Sequence, residues 1–148
     1  MSEWRAIVCA VDFSPESRNA LLEAARLARR LGALLTVAHV ETAARTGGEA
    51  PFAPPTRPGL SEREARSVAA ELDAWGKDAE AAAGAPVSTL LLAGAAGEAI
   101  VRAAADGGFD AVVLATRSRS GLARAVLGSV AEHVVRHASV PVVVVPRG

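Results

Sequence analysis

Residues 115–129 read ATRSRSGLARAVLGS and end on Gly128 and Ser129, just before a segment with helical spacing. Backbone amides at a helix start, helped by the helix dipole, attract an anion, and phosphate is the anion most often held this way. Glycine usually lets the backbone come close to phosphate, yet here Ala115 and Ser118 open the stretch and Arg117 and Arg119 flank the serine. Those arginines either clamp phosphate or lie solvated. Asp12 closes the apolar run RAIVCAVD, where a carboxylate either braces a turn or accepts from a ligand. His39, near the end of ALLTVAHV, reads as a core or strand-end histidine rather than a base. His133 and His137 lie four apart, a metal-compatible spacing, but no cysteine or acidic signature completes a zinc site. The sequence has no nucleophile elbow, P-loop lysine motif or paired carboxylates, so the pattern points to binding rather than catalysis.

Alternating strands and helices must position these groups. RAIVCAVD is too apolar for a surface hairpin and fits a strand covered on both faces. Ser14 then offers an N-cap and Pro15 a first helical residue, and Ala20, Leu21, Ala24, Leu27, Ala28 and Leu31 repeat at three and four. Gly32 suits the left-handed turn that ends such a helix. A second strand is expected at 33–40 and a flap rich in Gly and Pro at about 41–60. Ser61 and Glu64 form a capping box ahead of Ala65, Val68, Ala69, Leu72 and Ala79, with Trp75 packed beside that stripe. VSTLLLA (87–93), a helix at 96–106 and DAVVLA (110–115) follow. Ser129 and Glu132 form a second capping box opening a helix that carries Val130, Val134 and Val135, and VPVVVV supplies the fifth strand. Right-handed crossovers between such strands give an α/β fold, one open parallel five-stranded sheet with helices on both faces.

Composition removes several function classes. The 148 residues, 51% hydrophobic, suffice to bury one core, so one domain over 1–148 is expected. Formal net charge is +0, and of 16 basic residues only Lys77 is lysine, so no overall field favours nucleic acid or an anionic membrane. No apolar run nears the ~20 residues that span a bilayer. The one cysteine, Cys9, lies inside AIVCAV and reads as a buried core residue of a chain in a reducing, cytoplasmic compartment.

With the first strand central, strand order 3-2-1-4-5 reverses beside it, and ligands bind in such a crevice at the carboxyl ends of the strands. Ala10, Val11 and Asp12 would line it after the first strand, Val40 after the second, and the 115–129 loop would close it.

VDFSPESRNAL, AHV, GEAIV and above all LGSVAEHVVRHASVPVVVV give the chain, over essentially its whole length, a clear likeness: it resembles a small, single-domain universal stress protein. The resemblance implies the Rossmann-like, adenine nucleotide alpha hydrolase-like sheet of order 3-2-1-4-5, a homodimer and, in one branch, ATP in the crevice. That branch carries Gly, two residues, Gly, nine residues, then Gly followed by Ser or Thr. Counted back from Gly128 and Ser129, Ser118 stands at the second glycine and Ala115 at the first. A Cβ at Ser118 crowds an approaching phosphate, or costs about 1 kcal/mol or more if the turn needs positive φ.

Carried over residue by residue, Ala10, Val11 and Asp12 fall on the base and ribose side and Val40 against adenine. Ala115, Ser118, Gly128, Ser129 and Val130 surround ribose and phosphates, with Mg or Mn bound through the phosphates and no protein ligands. The apolar last strand gives an independent reason to dimerise, since pairing Val142, Val143, Val144 and Val145 with a second copy covers an exposed edge. The expected partners are thus an adenine nucleotide and a second copy, with neither nucleic acid nor membrane. The alternatives are a nucleotide-free member acting through protein contacts and a slow ATP hydrolase.

Overall fold

The structure is a computed structural model and describes residues 3–42, 62–116 and 127–146. In chain order it runs β1 (Ala6–Ala10), α1 (Pro15–Leu31), β2 (Leu34–Glu41), α2 (Glu62–Ala83), β3 (Val87–Ala93), α3 (Ala96–Asp106), β4 (Ala111–Ala115), α4 (Ser129–His137) and β5 (Val142–Val145). All strand pairs are parallel and the sheet order is β3-β2-β1-β4-β5, as the alternation and the resemblance imply.

Local chemistry sets the ends of α1. The Ser14 hydroxyl accepts from the Ser17 amide at 3.1 Å, Pro15 opens the first turn, and Gly32 closes the helix at φ 68°. Only glycine adopts that left-handed angle without steric cost, and its amide then reaches the carbonyls of Ala28 and Arg29. The small residues Ala20, Ala24, Ala25 and Ala28 are fully buried, so α1 lies close to the sheet. Ser61, the expected cap of α2, and 43–60, nearly all of the expected flap, lie outside the described residues. Glu41 is not flap. It extends β2 by pairing with Ala93, and its carbonyl accepts from the Gly94 amide at 3.1 Å.

Two apolar layers sandwich the sheet. Ile7, Cys9, Leu35, Val37 and Val113 face α1 and α2, whereas Val8, Ala38, Val112 and Leu114 face α3 and α4. Alternate residues of β1 thus serve opposite cores, which is why its sequence is continuously apolar. Burial pushes the Cys9 thiol far up, so it stays protonated and serves as packing. On α4, Ala131 and Val134 are buried, while Val135, expected on the apolar face, is 46% exposed.

The amino ends of β1 and β4 are fastened together by Asp110. Its carboxylate accepts from the amides of Arg5 (2.8 Å) and Ala6 (3.0 Å), and its own amide donates to the Ala6 carbonyl at 2.7 Å. Those two amides, Arg5 first, hold its pKa below the usual aspartate value. The carboxylate therefore favours the folded state above the unfolded aspartate pKa of about 3.9, and that contribution fades as pH falls through the lower folded value. Thermal unfolding followed by circular dichroism should show Asp110→Ala melting below wild type at neutral pH, with the two curves converging in strong acid.

Candidate functional site

A cleft of about 370 Å³ opens at the carboxyl ends of β1, β2 and β4, where the winding reverses about β1. Its first wall is the turn from β1 into α1. The Val11 amide still donates to the Ala38 carbonyl at 2.8 Å, after which the chain leaves the sheet. Asp12 Oδ1 then accepts from the Ser14 amide at 3.0 Å, and the Asp12 amide donates to Ser17 Oγ at 3.2 Å. Ser17 in turn donates its hydroxyl to the Ser14 carbonyl at 3.0 Å. Both sequence readings of Asp12 are therefore compatible: one oxygen braces the turn while the residue lines the cleft. Phe13, between these anchors, has φ 65°, a left-handed angle that costs a residue with a Cβ about 1 kcal/mol or more. Ring contacts hold it there, tilted on His39 at 4.4 Å and edge-on to Trp75 at 5.2 Å. Arg18 lies over the Trp75 ring at 4.3 Å and pairs with Asp78 at 3.2 Å.

The end of β2 supplies the next wall. Val40 is buried on the α3 and α4 side, whereas His39 faces the opposite layer. His39 Nδ1 donates to the Val11 carbonyl at 2.8 Å, and Nε2 lies 3.8 Å from Glu41 Oε2. A carbonyl only accepts, so the ring hydrogen is assigned to Nδ1. Val40, His39 and Glu41 all border the cleft.

The far wall is the first turn of α4, and here the expected capping box of Ser129 and Glu132 does not form, because the N-cap falls one residue earlier. Gly128, extended at φ −68° and ψ 163°, is the N-cap, and the Glu132 amide closes on its carbonyl at 2.9 Å. Ser129 is already helical and cannot cap with its side chain; α4 has no side-chain cap at all. The Gly128 amide is also committed, donating to the Thr116 carbonyl at 2.6 Å, while the Thr116 amide reaches the Val145 carbonyl at 3.1 Å. An anion must therefore use the amides of Ser129, Val130 and Ala131, which an α-helix leaves without intrahelical acceptors.

Eight of the nine expected ligand-side residues border this one cleft: Ala10, Val11, Asp12, Val40, Ala115, Gly128, Ser129 and Val130. Ser118, with Arg117, Arg119 and Gly121, lies outside the described residues. Sequence reading missed Ser17, Glu41, Thr116 and the α3 residues Ala96 and Ile100, and it placed His39 in the core or at a strand end without its contact to Val11. Ile100 is buried on the inner face of α3, and nothing local in the sequence ties it to Val40. Asp12 and Glu41 are the carboxylates at the cleft, and no lysine or arginine borders it among the described residues. His133 and His137 stack at 4.3 Å, and His137 Nδ1 meets the His133 carbonyl at 2.9 Å. Among the described residues no three side chains are grouped to hold a metal, and no helix is long and apolar enough to cross a membrane.

The profile of the universal stress protein family matches residues 3–146. Solved structures share the fold throughout. UspA of Lactobacillus plantarum superposes with a TM-score of 0.80 at 23% identity, over 98% of this chain and 99% of its own. A universal stress protein in complex with cAMP gives 0.72 at 24% identity, over 99% and 100%. One from Archaeoglobus fulgidus in complex with dAMP gives 0.71 at 23% identity, over 97% and 98%. No curated protein matches the sequence.

The cleft depends on a close approach of α3 to α4. A Cβ on Gly97 would lie 2.7 Å from His133 Cγ, so only glycine fits without displacing the ring. Gly97→Ala is expected to lower stability by about 1–3 kcal/mol, the usual scale of overpacking. Urea unfolding checks this, and a midpoint equal to wild type would show that the helices part freely.

Proposed function

The chain belongs to the universal stress protein family, and we propose that its cleft binds an adenine nucleotide, with ATP as the principal candidate. One observation carries the reading: a single cleft is lined by the apolar side chains of Val40 and Ile100, the carboxylate acceptor Asp12, and the first turn of α4, which no side chain caps. A purine ring fits an apolar slot, a carboxylate accepts from amino or hydroxyl groups, and helix-start amides receive phosphate. The volume of about 370 Å³ falls within the usual range for small-molecule sites. The cAMP and dAMP complexes of similar folds support the same assignment.

On this reading Ala10, Val11, Asp12 and Val40 attend the base and ribose. Ala115, Ser118, Gly128, Ser129 and Val130 attend ribose and phosphates. With carboxylates at one end and no lysine or arginine bordering the cleft among the described residues, Mg or Mn accompanies the phosphates and offsets their charge without a dedicated protein ligand. The protein acts in the cytoplasm as a binding module, and the nucleotide serves as the bound signal rather than as a substrate turned over.

The reading includes a homodimer. β5 is the last strand of the sheet, paired with β4 along one edge, and its residues Val142 to Val144 are only partly buried. A second copy aligned antiparallel along Val142–Val145 covers that edge by a two-fold contact.

Two measurements test these assignments. Protein denatured after purification should release adenine nucleotide detectable by mass spectrometry, and calorimetric titration with ATP should saturate. Gly128→Val should remove the calorimetric signal: the backbone angles at Gly128 suit any residue, so the new side chain fills the cleft without straining the turn. Failure of ATP, AMP and cAMP alike to bind wild type overturns the proposal. Separately, sedimentation at micromolar concentration should give a dimer, and a monomer would exclude the β5 contact.

A further inference from the structure

The β1–β2 ladder ends in an unusual way. Its last bond runs from the Val11 amide to the Ala38 carbonyl at 2.8 Å. In a regular parallel ladder the following bond would run from the Val40 amide to the Val11 carbonyl. Here that carbonyl receives the His39 ring instead, Nδ1 to O at 2.8 Å. Backbone groups of alternate residues point to the same strand edge, so the Val40 amide shares the direction of the Ala38 carbonyl. That direction leads past the end of β1, where the cleft begins.

The same ring holds the turn that follows. His39 is half-buried beneath it, with Phe13 tilted against its face at 4.4 Å and Glu41 at 3.8 Å from its second nitrogen. Phe13 stays at φ 65° only while its neighbours hold it, and Asp12, the residue before it, takes its place in the cleft from that geometry. Two groups facing a ligand, the Val40 amide and the Asp12 carboxylate, thus depend on one side chain.

We infer that His39 is a positioning residue of the cleft: its ring takes the Val11 carbonyl out of the ladder, leaving the Val40 amide for the ligand and fixing the turn that presents Asp12. This role rests on the nucleotide reading above and adds to it a residue that acts through the groups it orients. Neither local spacing nor the cleft-side residues require a histidine here. What requires it is a donor that reaches a carbonyl 28 positions earlier in the chain.

Three variants and one spectroscopic reading test it. His39→Asn keeps an amide nitrogen where Nδ1 stood and should bind ATP close to wild type. His39→Leu removes the donor and should weaken ATP binding roughly tenfold, the scale of one net hydrogen bond. His39→Gln, whose nitrogen sits one bond further out, should resemble His39→Leu. In hydrogen exchange followed by NMR, the Val40 amide of ligand-free wild type should exchange freely and become protected by ATP. In His39→Leu it should be protected without ATP, because the vacated Val11 carbonyl can accept it. Loss of binding by His39→Asn equal to that of His39→Leu would overturn the role, as would ATP affinity in His39→Leu equal to wild type. A Val40 amide already protected in ligand-free wild type would overturn it too, even if His39→Leu failed to fold. Absence of ATP binding by wild type overturns the nucleotide reading and this role with it.

Discussion

β1 is the constraint on which the molecule depends. It is hydrogen-bonded to β2 on one edge and β4 on the other, and its side chains alternate between two buried layers. A strand enclosed on four sides has no room for a polar side chain, so AIVCA is apolar throughout. Enclosure also dictates where chemistry can occur. Chain winding reverses about β1, and the connections leaving β1 and β4 must diverge above it. Asp12, the first polar side chain after β1, and the first turn of α4 are thereby set at two ends of one opening.

The opening is electrically ordered. Asp12 and Glu41 stand toward the β1 and β2 end, and the uncapped start of α4 stands across from them. A helix start carries roughly half a positive charge, enough to favour an anion by about 0.3–1 kcal/mol in an exposed setting. Among the described residues such a site has no lysine or arginine with which to hold an arbitrary polyanion. It favours a ligand whose donors and negative charge lie at opposite ends.

Most of the architecture was legible in the sequence because its signals are local. Ser14, Pro15 and Gly32 mark the limits of α1 within a few residues of their partners, and continuous apolar runs mark the strands. Eight cleft residues followed from strand ends and from the family resemblance. What escaped depends on distance or on small differences. A glycine and a serine can each cap a helix, and the bond from the Gly128 amide to Thr116 favours the glycine. The left-handed angle at Phe13 has no sequence signature, since residue type argues against it and only its ring contacts sustain it. His39 with Val11 and Asp110 with Arg5 join positions that no helical or strand period relates.

The Asp110 clasp bears on the order in which the molecule can assemble. β1 and β2 lie close in the chain and can meet early, but the second edge of β1 waits for β4, and the clasp spans 104 residues. During synthesis the strand that will be most enclosed therefore spends the longest time half-covered, with an open apolar edge. Closing so long a loop is entropically unfavourable until the contacts it brings have formed. Among the contacts of β1, that with β4 therefore closes the longest stretch of chain, and the two amides at Arg5 and Ala6 receive the Asp110 carboxylate where it closes.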